Sequence, residues 1–318
     1  MLKYKQRKKV IKLKKCIVIY NPNSGHKEVK KYLSQIEKIL TKKGYESAIY
    51  PTKYKGHATE IVTNLPKVDL VMSFGGDGTF NEVMTGNFAR EEKLLLTHIP
   101  VGTTNDIGAM LGYNKNIIDN VKASLNGVVK DFDIGIINDR PFIYVAGFGK
   151  YTNISYETPR KLKKKIGHLA YIKEGIKAFF QKTKLYDITY EIDNQEYRGL
   201  FSLVLISNTN HIAGIKNVYK EVKLDDDKFE IVLCTIRKRK DIIKSLYFLT
   251  MYGPSQVPGI YFYRTNNIKL KINNTATKTF CIDGEKLEQN PEHEYKITMA
   301  NNIKVLVPKK NIHKLFLK

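Results

Sequence analysis

The sequence predicts an α/β fold in two domains: an N-terminal doubly wound α/β domain with a Gly-rich loop and a C-terminal, mainly antiparallel β-sandwich. In the first half, short apolar runs alternate with segments of helical spacing, as in parallel βαβ units. Beyond about residue 134, strand-like runs follow one another with fewer helices between them. The 318 residues are enough for about two domains. We expect domains at 1–134 and 135–300, with residues 301–318 as a C-terminal segment that could return to the first domain.

The first half reads as a regular alternation of elements. Helical spacing is clearest at Val29, Leu33, Ile36 and Leu40, where Gly44 is placed to end the helix. A second apolar stripe runs from Ala58 to Leu65, and a third helix begins near Asn81. The predicted strands are Cys16–Tyr20, Tyr45–Tyr50, Leu70–Phe74 and a run from Leu94 through Ile99.

The second half is dominated by predicted strands. Two helices are expected, near Leu169–Phe180 and Ile242–Met251, and a last apolar run covers Ile303–Val307. The strand candidates are Phe142–Ala146, Ile188–Ile192, Leu200–Ile206, Phe229–Cys234, Ile268–Ile272 and Lys278–Ile282.

The segment Gly75-Gly76-Asp77-Gly78-Thr79 is the most informative motif, because it joins a buried strand to a helix. Such a turn directs backbone N–H groups and the positive end of a helix dipole at one point, which suits a phosphate. Asp77 could hold Mg²⁺ through water, and the Thr79 hydroxyl adds a donor. The alternative is a tight Asp-Gly hairpin turn, which the helical pattern after Thr79 disfavours.

Two further polar loops follow strands of the same predicted sheet. One contains Asn21, Pro22, Asn23, Ser24 and Gly25, and the other runs from Gly102 to Asp106. Each alone is ordinary turn chemistry. Because ligands bind beyond the carboxyl ends of parallel strands, the three loops together predict one phosphate site.

The net charge of +23 is concentrated in clusters. Eight of the first fifteen residues are Lys or Arg, and further clusters lie at Arg160–Lys165 and Arg237–Lys240. These clusters would attract an anionic membrane surface, although solvated faces are the plain alternative. Nucleic acid is not expected as a partner, because no nucleic-acid-binding motif accompanies them. The three scattered cysteines and the lack of a long apolar stretch indicate a cytoplasmic protein with reduced thiols.

Taken in order, the motifs resemble the diacylglycerol kinase catalytic domain, and most closely the soluble bacterial diacylglycerol and lipid kinases. The resemblance covers nearly the whole chain. It rests on Asn-Pro-x-Ser-Gly after the first strand, Gly-Gly-Asp-Gly-Thr-x-Asn-Glu-Val after the third, Pro-x-Gly-Thr-x-Asn-Asp after the fourth, Asp133-Ile134-Gly135, Ser155–Pro159 and Asp283-Gly284-Glu285.

This resemblance implies an ATP site between the two domains. Asp283 would be the general base for a lipid hydroxyl, and Glu285 would help to organise Mg²⁺, although Asp283-Gly284 alone is also a good hairpin turn. By position, the nucleotide-binding residues would be Asn21, Pro22, Asn23, Ser24, Gly25, Thr52, Gly76, Asp77, Gly78, Thr79, Phe80, Asn81, Glu82 and Thr103.

The acidic run Asp225-Asp226-Asp227 resembles the structural Mg²⁺ turn of the family. Asp226 would supply a carboxylate, and Lys223 and Lys228 would supply backbone carbonyls. Asp227 stands where the family usually has Gly, and a solvated acidic loop is the alternative. The resemblance also ties Asp133 to an interdomain ion pair, for which Lys173 is a candidate partner.

The predicted function is ATP-dependent phosphorylation of diacylglycerol to phosphatidic acid at the inner face of the cell membrane. Other hydroxyl acceptors in the same class are phosphatidylglycerol and sphingoid bases. An NAD kinase shares the Gly-Gly-Asp-Gly element, and a non-catalytic protein that binds anionic membranes is an alternative of a different class. By resemblance alone, a homodimer is also allowed.

Overall fold

A computed structural model describes residues 13–24, 28–102, 105–150, 152, 181–209, 219, 222–253, 256–274, 280–288 and 290–317. The basic residues 1–12 and 160–165, the motif at 155–159, Lys173 and the helix expected near 169–180 lie outside these ranges. The helices are α1 Val29–Lys42, α2 His57–Asn64, α3 Asp77–Phe88, α4 Asp106–Met110, α5 Ile117–Leu125, α6 Arg239–Tyr252 and α7 Ile312–Leu315.

The strands alternate with helices in the first half and follow one another more directly in the second. They are β1 Lys14–Tyr20, β2 Tyr45–Pro51, β3 Leu70–Gly75, β4 Leu96–Pro100, β5 Val128–Ile137, β6 Arg140–Phe142, β7 Val145–Gly149, β8 Tyr186–Ile192, β9 Gln195–Phe201, β10 Leu203–Ser207, β11 Phe229–Cys234, β12 Ile260–Thr265, β13 Asn267–Ile272, β14 Cys281–Ile282, β15 Glu285–Lys286 and β16 Glu294–Val307. The predicted mixed α/β class is confirmed.

Strands β2, β1, β3 and β4 form a parallel sheet that helices cover on both faces. Alternate residues of each strand point to opposite faces of the sheet. In β1 the residues on both faces are apolar, as expected for a parallel strand covered by helices on both sides. Ile17 and Ile19 pack with α2 and α3, whereas Cys16 and Val18 pack with α1 and α5. The carboxyl ends of all four strands therefore meet at one edge.

The long strand β16 joins this parallel sheet to the second half of the chain. Strand β5 pairs with both parts of β16, whereas β13 pairs with its N-terminal part and Leu96 of β4 pairs with Val305 in its C-terminal part. The register shifts between Ala300 and Ile303, where the strand passes from one half to the other. One ten-stranded sheet thus runs through both predicted domains.

A second, six-stranded antiparallel sheet has the order β12-β11-β10-β7-β14-β15. Its buried side chains share one core with those of β8, β13 and β16 from the large sheet. The rings of Phe148 and Tyr186 lie 4.8 Å apart there, and those of Phe280 and Tyr295 lie 4.6 Å apart. This core fixes the six-stranded sheet against the large one.

Two single strands predicted in the second half are each split between the two sheets. The run Phe142–Ala146 is divided into β6 and β7, and Leu200–Ile206 is divided at Ser202 into β9 and β10. Apolar residues on both sides of each break conceal it in the sequence. Helix α5 was not predicted, although Asn116 accepts backbone hydrogen bonds at its N-terminus from Ile118 and Asp119.

The described part of the chain has no helix with both the length and the apolar character needed to span a bilayer. Cys16, Cys234 and Cys281 form no disulfide.

Helix α3 packs closely on α2 because Gly86 lacks a side chain. A Cβ atom at Gly86 would lie 2.6 Å from the Thr59 carbonyl oxygen, whereas one at Gly78 of the same helix would meet nothing within 4 Å. We expect Gly86→Ala to lower the free energy of unfolding by about 1 to 3 kcal/mol, because backbone must shift. Gly78→Ala should leave it unchanged or raise it by up to about 1 kcal/mol. Urea unfolding of both variants checks this, and equal effects would contradict the packing argument.

Candidate active site

Residues that follow the four parallel strands are hydrogen-bonded to one another at a single edge. The Asn21 N–H donates to the Phe74 carbonyl at 3.0 Å, and the Thr52 N–H donates to the Tyr20 carbonyl at 2.8 Å. The N–H groups of Val101 and Gly102 both donate to the Gly75 carbonyl, at 2.7 and 3.1 Å. The first, third and fourth strand-end loops therefore lie side by side. Gly25 and Thr103 fall outside the described residues.

The two glycine turns at this edge are in direct backbone contact. A Cβ atom on Gly102 would lie 2.5 Å from the Gly76 Cα atom, and one on Gly75 would lie 2.3 Å from the Thr79 side chain. Thr79 is buried beneath the turn. Gly75 and Gly102 are therefore required for packing at this edge.

The first loop is folded by its own side chain. Asn21 Oδ1 accepts the Asn23 N–H at 2.9 Å, and the Asn21 carbonyl accepts the Ser24 N–H at 3.1 Å. Pro22 and Ser24 are partly exposed and Asn23 is exposed. The loop thus presents polar groups to solvent at the common edge.

The carboxylate of Asp77 binds backbone next to the fourth strand-end loop. Its two carboxylate oxygens accept the N–H groups of Asp106 at 3.0 Å and Ile107 at 3.2 Å, at the start of α4. Burial raises the pKa of Asp77, and hydrogen bonds from the backbone oppose that rise. The carboxylate holds the two glycine turns together, and its contact with Mg²⁺ through water stays a prediction.

The residues at the start of α3 face in three directions. Phe80 is buried and stacks on His98 with ring centroids 4.7 Å apart. Glu82 Oε2 accepts the Ala58 N–H at 3.2 Å, which ties α3 to α2. Asn81 points to the other half of the chain, where its side chain meets Asp283. Gly78 is exposed at the edge.

Asp283 is a buried carboxylate with four hydrogen-bond donors. Oδ2 accepts from Asn81 Nδ2 and the Ile143 N–H, both at 2.6 Å, and Oδ1 accepts from the N–H groups of Tyr144 at 3.1 Å and Val145 at 2.9 Å. The residue is only 8% exposed and has a φ of 47° in the turn after β14. Burial raises the pKa of Asp283 to about 6 despite these donors.

These contacts also explain why β6 and β7 are separate strands. The N–H groups of Ile143 and Tyr144 bind the carboxylate of Asp283, so this segment bends around it between the two sheets. No pattern in the sequence marks a backbone segment that binds a side chain 140 positions away.

Glu285 lies beside this site between two cations. Its carboxylate is 3.0 Å from Lys55 Nζ and 3.0 Å from Arg140 Nη2, and its side chain is 31% exposed. Lys55 belongs to the connection between β2 and α2, so Glu285 also links the two halves of the chain. Lys55 and Arg140 were not predicted for the site, because isolated charges without characteristic spacing give no signal.

The acidic turn before β11 is a separate site. Asp226 Oδ2 lies 2.8 Å from Arg264 Nη2, and its Oδ1 accepts the Lys228 N–H at 3.2 Å. Asp227 has a φ of 56°, the left-handed conformation that glycine favours and that Asp tolerates. The Lys223 ammonium donates a hydrogen bond to the His313 carbonyl, with Nζ 3.0 Å from the oxygen.

Two buried carboxylates adjoin this turn. Burial raises the pKa of Asp133 to about 7 and that of Glu230 to about 8. Asp133 Oδ2 accepts the Asp227 N–H at 2.7 Å, and Arg264 Nε lies 3.2 Å from Glu230 Oε1. Asp133 Oδ1 and Glu230 Oε2 are buried with no hydrogen-bond partner. With these pKa values Glu230 is mostly protonated and Asp133 about half protonated at neutral pH, and a nearby cation would shift both towards the ionised form.

No group of three or more His, Cys, Asp or Glu side chains with the geometry of a metal site occurs in the described ranges. A turn built from one carboxylate and two backbone carbonyls is a different kind of site. The oxygens of the acidic turn are hard ligands of the kind Mg²⁺ prefers. The donor atoms of the turn are chemically suited to such an ion, although Asp226 contacts Arg264 in this structure.

Comparisons with known proteins agree on one family. Residues 15–137 match the family described as "Diacylglycerol kinase catalytic domain". A diacylglycerol kinase of Bacillus subtilis (strain 168) is 30% identical over 307 residues, which cover 95% of this chain and 99% of the relative. A diacylglycerol kinase of Staphylococcus haemolyticus (strain JCSC1435) is 31% identical over 93% of this chain and 89% of its own length.

Solved structures show the same fold. A crystal structure of a diacylglycerol kinase from Bacillus anthracis str. Sterne superposes with a TM-score of 0.75 at 24% identity and covers 93% of this chain and 98% of that chain. A second structure from that organism has a TM-score of 0.77 at 25% identity, over 96% of this chain and 98% of that chain.

The raised pKa of Asp283 makes a prediction about stability. A carboxyl whose pKa is about 6 when folded and 3.8 when unfolded favours folding in its protonated form, so its contribution is complete below about pH 4 and is lost as the pH rises through 6. Asp283→Asn cannot titrate. We therefore expect its free energy of unfolding, relative to that of the wild type, to increase by up to roughly 3 kcal/mol between those pH values.

Urea unfolding over a pH series measures this difference. Asp193→Asn is the matched control, because Asp193 also has a positive φ in a hairpin turn but is exposed. Its difference from the wild type should not vary through pH 6. If the free energies of unfolding of Asp283→Asn and the wild type differed by the same amount at every pH, ionisation of the Asp283 carboxyl would not destabilise the fold.

Proposed function

The chain belongs to the diacylglycerol kinase family, and we propose that it transfers the γ-phosphate of ATP to the primary hydroxyl of diacylglycerol, with Asp283 as the general base. As a lipid kinase of this family it needs a phosphate site and a base that face one another. The hydrogen bond from Asn81 to Asp283 supports the proposal most directly, because it joins the glycine-loop helix to the candidate base.

ATP would lie at the common strand-end edge, in a cleft between an N-terminal α/β domain of residues 1–134 and a β-sandwich of residues 135–300. The N–H groups at the start of α3 would bind its phosphates, and the exposed Gly78 lets them approach the backbone. The Asn21 loop, Thr52 and Thr103 would complete the nucleotide site. Bound Mg²⁺ would neutralise the phosphate charge. Pro22, Phe80 and Glu82 would act by shaping and fixing these loops.

Asp283 would accept the proton of the lipid hydroxyl. With a pKa of about 6 the carboxyl is mostly ionised at neutral pH and basic enough to take a proton. Its four donors hold both oxygens in place, so the base is oriented before substrate binds. Glu285 would exchange Lys55 or Arg140 for Mg²⁺ or a water bound to it.

The acidic turn would hold a structural Mg²⁺ through Asp226 and the carbonyls of Lys223 and Lys228. The unpartnered oxygens of Asp133 and Glu230 support this, because a nearby cation would favour the ionised form of both buried carboxyls and offset the cost of burying it. The ion would fix the turn before β11 against β5.

The reaction product would be phosphatidic acid, made at the cytoplasmic face of the membrane by a peripherally bound enzyme. An anionic bilayer and diacylglycerol would be its partners, and a homodimer would be compatible with the family. Phosphatidylglycerol and sphingoid bases are rival acceptors because each offers a hydroxyl. NAD kinase activity or binding without catalysis would replace the proposal if no lipid were phosphorylated.

The first test is Asp283→Asn. We expect kcat to fall by roughly 10² to 10⁴-fold while ATP binding survives, because only the proton acceptor is lost. In the wild type, kcat/KM should decrease below about pH 6 as the base is protonated. The assay is ATP-dependent phosphorylation of diacylglycerol, phosphatidylglycerol, sphingosine and NAD, with products identified by mass spectrometry.

Asp193→Asn serves as the control and should keep wild-type turnover. Full activity of Asp283→Asn would remove this residue from the mechanism. Wild-type turnover of NAD alone would refute the lipid assignment, and binding without turnover of any acceptor would refute catalysis.

The second test concerns the structural ion. Mg²⁺ should raise the melting temperature of the wild type measured without nucleotide, and the increase should be lost in Asp226→Asn, because the turn loses its side-chain ligand. Asp131→Asn removes an exposed carboxylate elsewhere and should keep the full increase. An unchanged response in Asp226→Asn would place the ion at another site.

A further inference from the structure

Helix α6 carries an exposed stripe in which basic and apolar side chains alternate. Ile243 is 61% exposed and Tyr247 is 58% exposed, and Lys240 and Lys244 are exposed beside them. At 3.6 residues per turn these four positions fall within about 100° of the helix circumference. Asp241, Ile242 and Ser245 on the other side are only partly exposed. The exposed face is therefore apolar and positively charged at once.

This stripe lies at one end of the six-stranded sheet. Gly149, Leu203, Cys234 and Ile260 are in register at that end, which we call the distal end, and α6 connects Cys234 to Ile260. Asp283 lies beside Val145 at the opposite end of β7, about 13 Å away along the strand. Asp283 binds Asn81 at the start of α3, beside the common strand-end edge where ATP would lie. The distal end therefore faces away from that edge.

Other exposed side chains extend the same surface. Leu200 is 54% exposed and Tyr261 is 49% exposed, and both belong to strands that reach the distal end. Two carboxylates lie near this surface: Asp241 is only partly exposed, and Asp187 forms an ion pair with Arg198. Among the described residues, the exposed cations at this end are Lys182, Lys184, Arg237, Lys238, Lys240 and Lys244.

We propose that the distal end, with the α6 stripe at its centre, docks on an anionic lipid bilayer. Aliphatic residues can enter the boundary between headgroups and acyl chains, Tyr rings favour that interface, and Lys side chains reach anionic headgroups from it. Nucleic acid would match the charge but would leave Ile243 and Leu200 without an apolar environment. The inference rests on the proposed function only in that a lipid kinase must meet its substrate at a membrane.

Docking in this way gives the enzyme a defined orientation. The distal end contacts the bilayer, and the carboxylate of Asp283 lies about one strand length above the bilayer surface. The common strand-end edge then faces the aqueous phase. A lipid entering from the bilayer and ATP entering from solution would then approach Asp283 from opposite sides.

The absence of tryptophan from the sequence allows a direct test. Tyr247→Trp introduces a single fluorophore at the stripe, and Tyr50→Trp introduces one at an exposed position on β2, remote from the distal end. With phosphatidylcholine vesicles containing phosphatidylglycerol, we expect a blue shift and quenching by brominated acyl chains for Tyr247→Trp only. Equal responses at both positions, or none at Tyr247→Trp, would overturn the proposal.

Vesicle sedimentation measures the contribution of each side-chain type. Ile243→Asp combined with Tyr247→Asp should weaken partitioning roughly 10- to 100-fold, because apolar burial is lost. Lys240→Gln combined with Lys244→Gln should weaken it by about five-fold per lysine. Lys38→Gln with Lys42→Gln on α1 is the matched control, since these lysines are also exposed and four positions apart. Equal losses in the control pair would overturn the assignment of this surface.

Activity on diacylglycerol in non-ionic detergent micelles separates this inference from the proposed function. All stripe variants should retain wild-type turnover there, because the micelle replaces the bilayer. If the wild type binds vesicles through the stripe but phosphorylates nothing in micelles, the proposed function fails and the docking surface stands. If the wild type is active in micelles and Ile243→Asp/Tyr247→Asp binds vesicles normally, the docking surface alone fails. If the stripe variants lost binding to single-stranded DNA but kept binding to vesicles, the stripe would be assigned to nucleic acid.

Discussion

A buried carboxylate must receive hydrogen bonds, and this requirement at Asp283 organises the centre of the molecule. One donor comes from Asn81 on α3, and three come from successive backbone N–H groups at Ile143, Tyr144 and Val145. Without these donors an ionised carboxylate could not be buried at this position. The same contacts bend the chain from the large sheet into the six-stranded one. A single side chain thus fixes both the position of the hairpin and the connection between the sheets.

Asp77 performs a comparable task within the first sheet. It binds the N–H groups at the start of α4, and the glycine turns after β3 and β4 then touch backbone to backbone. The edge left open is lined by loop backbone and by the start of α3. Two aspartates in the conspicuous motifs therefore have different consequences: Asp77 shapes the strand-end edge, and Asp283 contacts Asn81 beside that edge from the other half of the chain.

Periodicity in the sequence predicted the parallel sheet well, because β1, β3 and β4 are short, largely buried runs and helices with apolar spacing, such as α1, separate the strands. It predicted less of the second half. Apolar runs at 142–146 and 200–206 look continuous, but each passes between two sheets, and long-range hydrogen bonds determine where it breaks. The continuous path of β16 through both halves is a pairing choice that local pattern does not encode.

The same distinction applies to the candidate site. Motif residues such as Asn21 and Gly76 were predicted because glycine turns and their spacing are visible locally, whereas Asp283 was predicted only through the family resemblance. The exposed stripe of α6 was accessible only in part, since the basic cluster at 237–240 was evident but the outward direction of Ile243 and Tyr247 required the fold. Lys55 and Arg140 were inaccessible, because their importance comes from meeting Glu285 across the two halves. A residue that acts through a partner far along the chain leaves no local signature, so sites at the junction of two halves are the ones that sequence reasoning misses most readily.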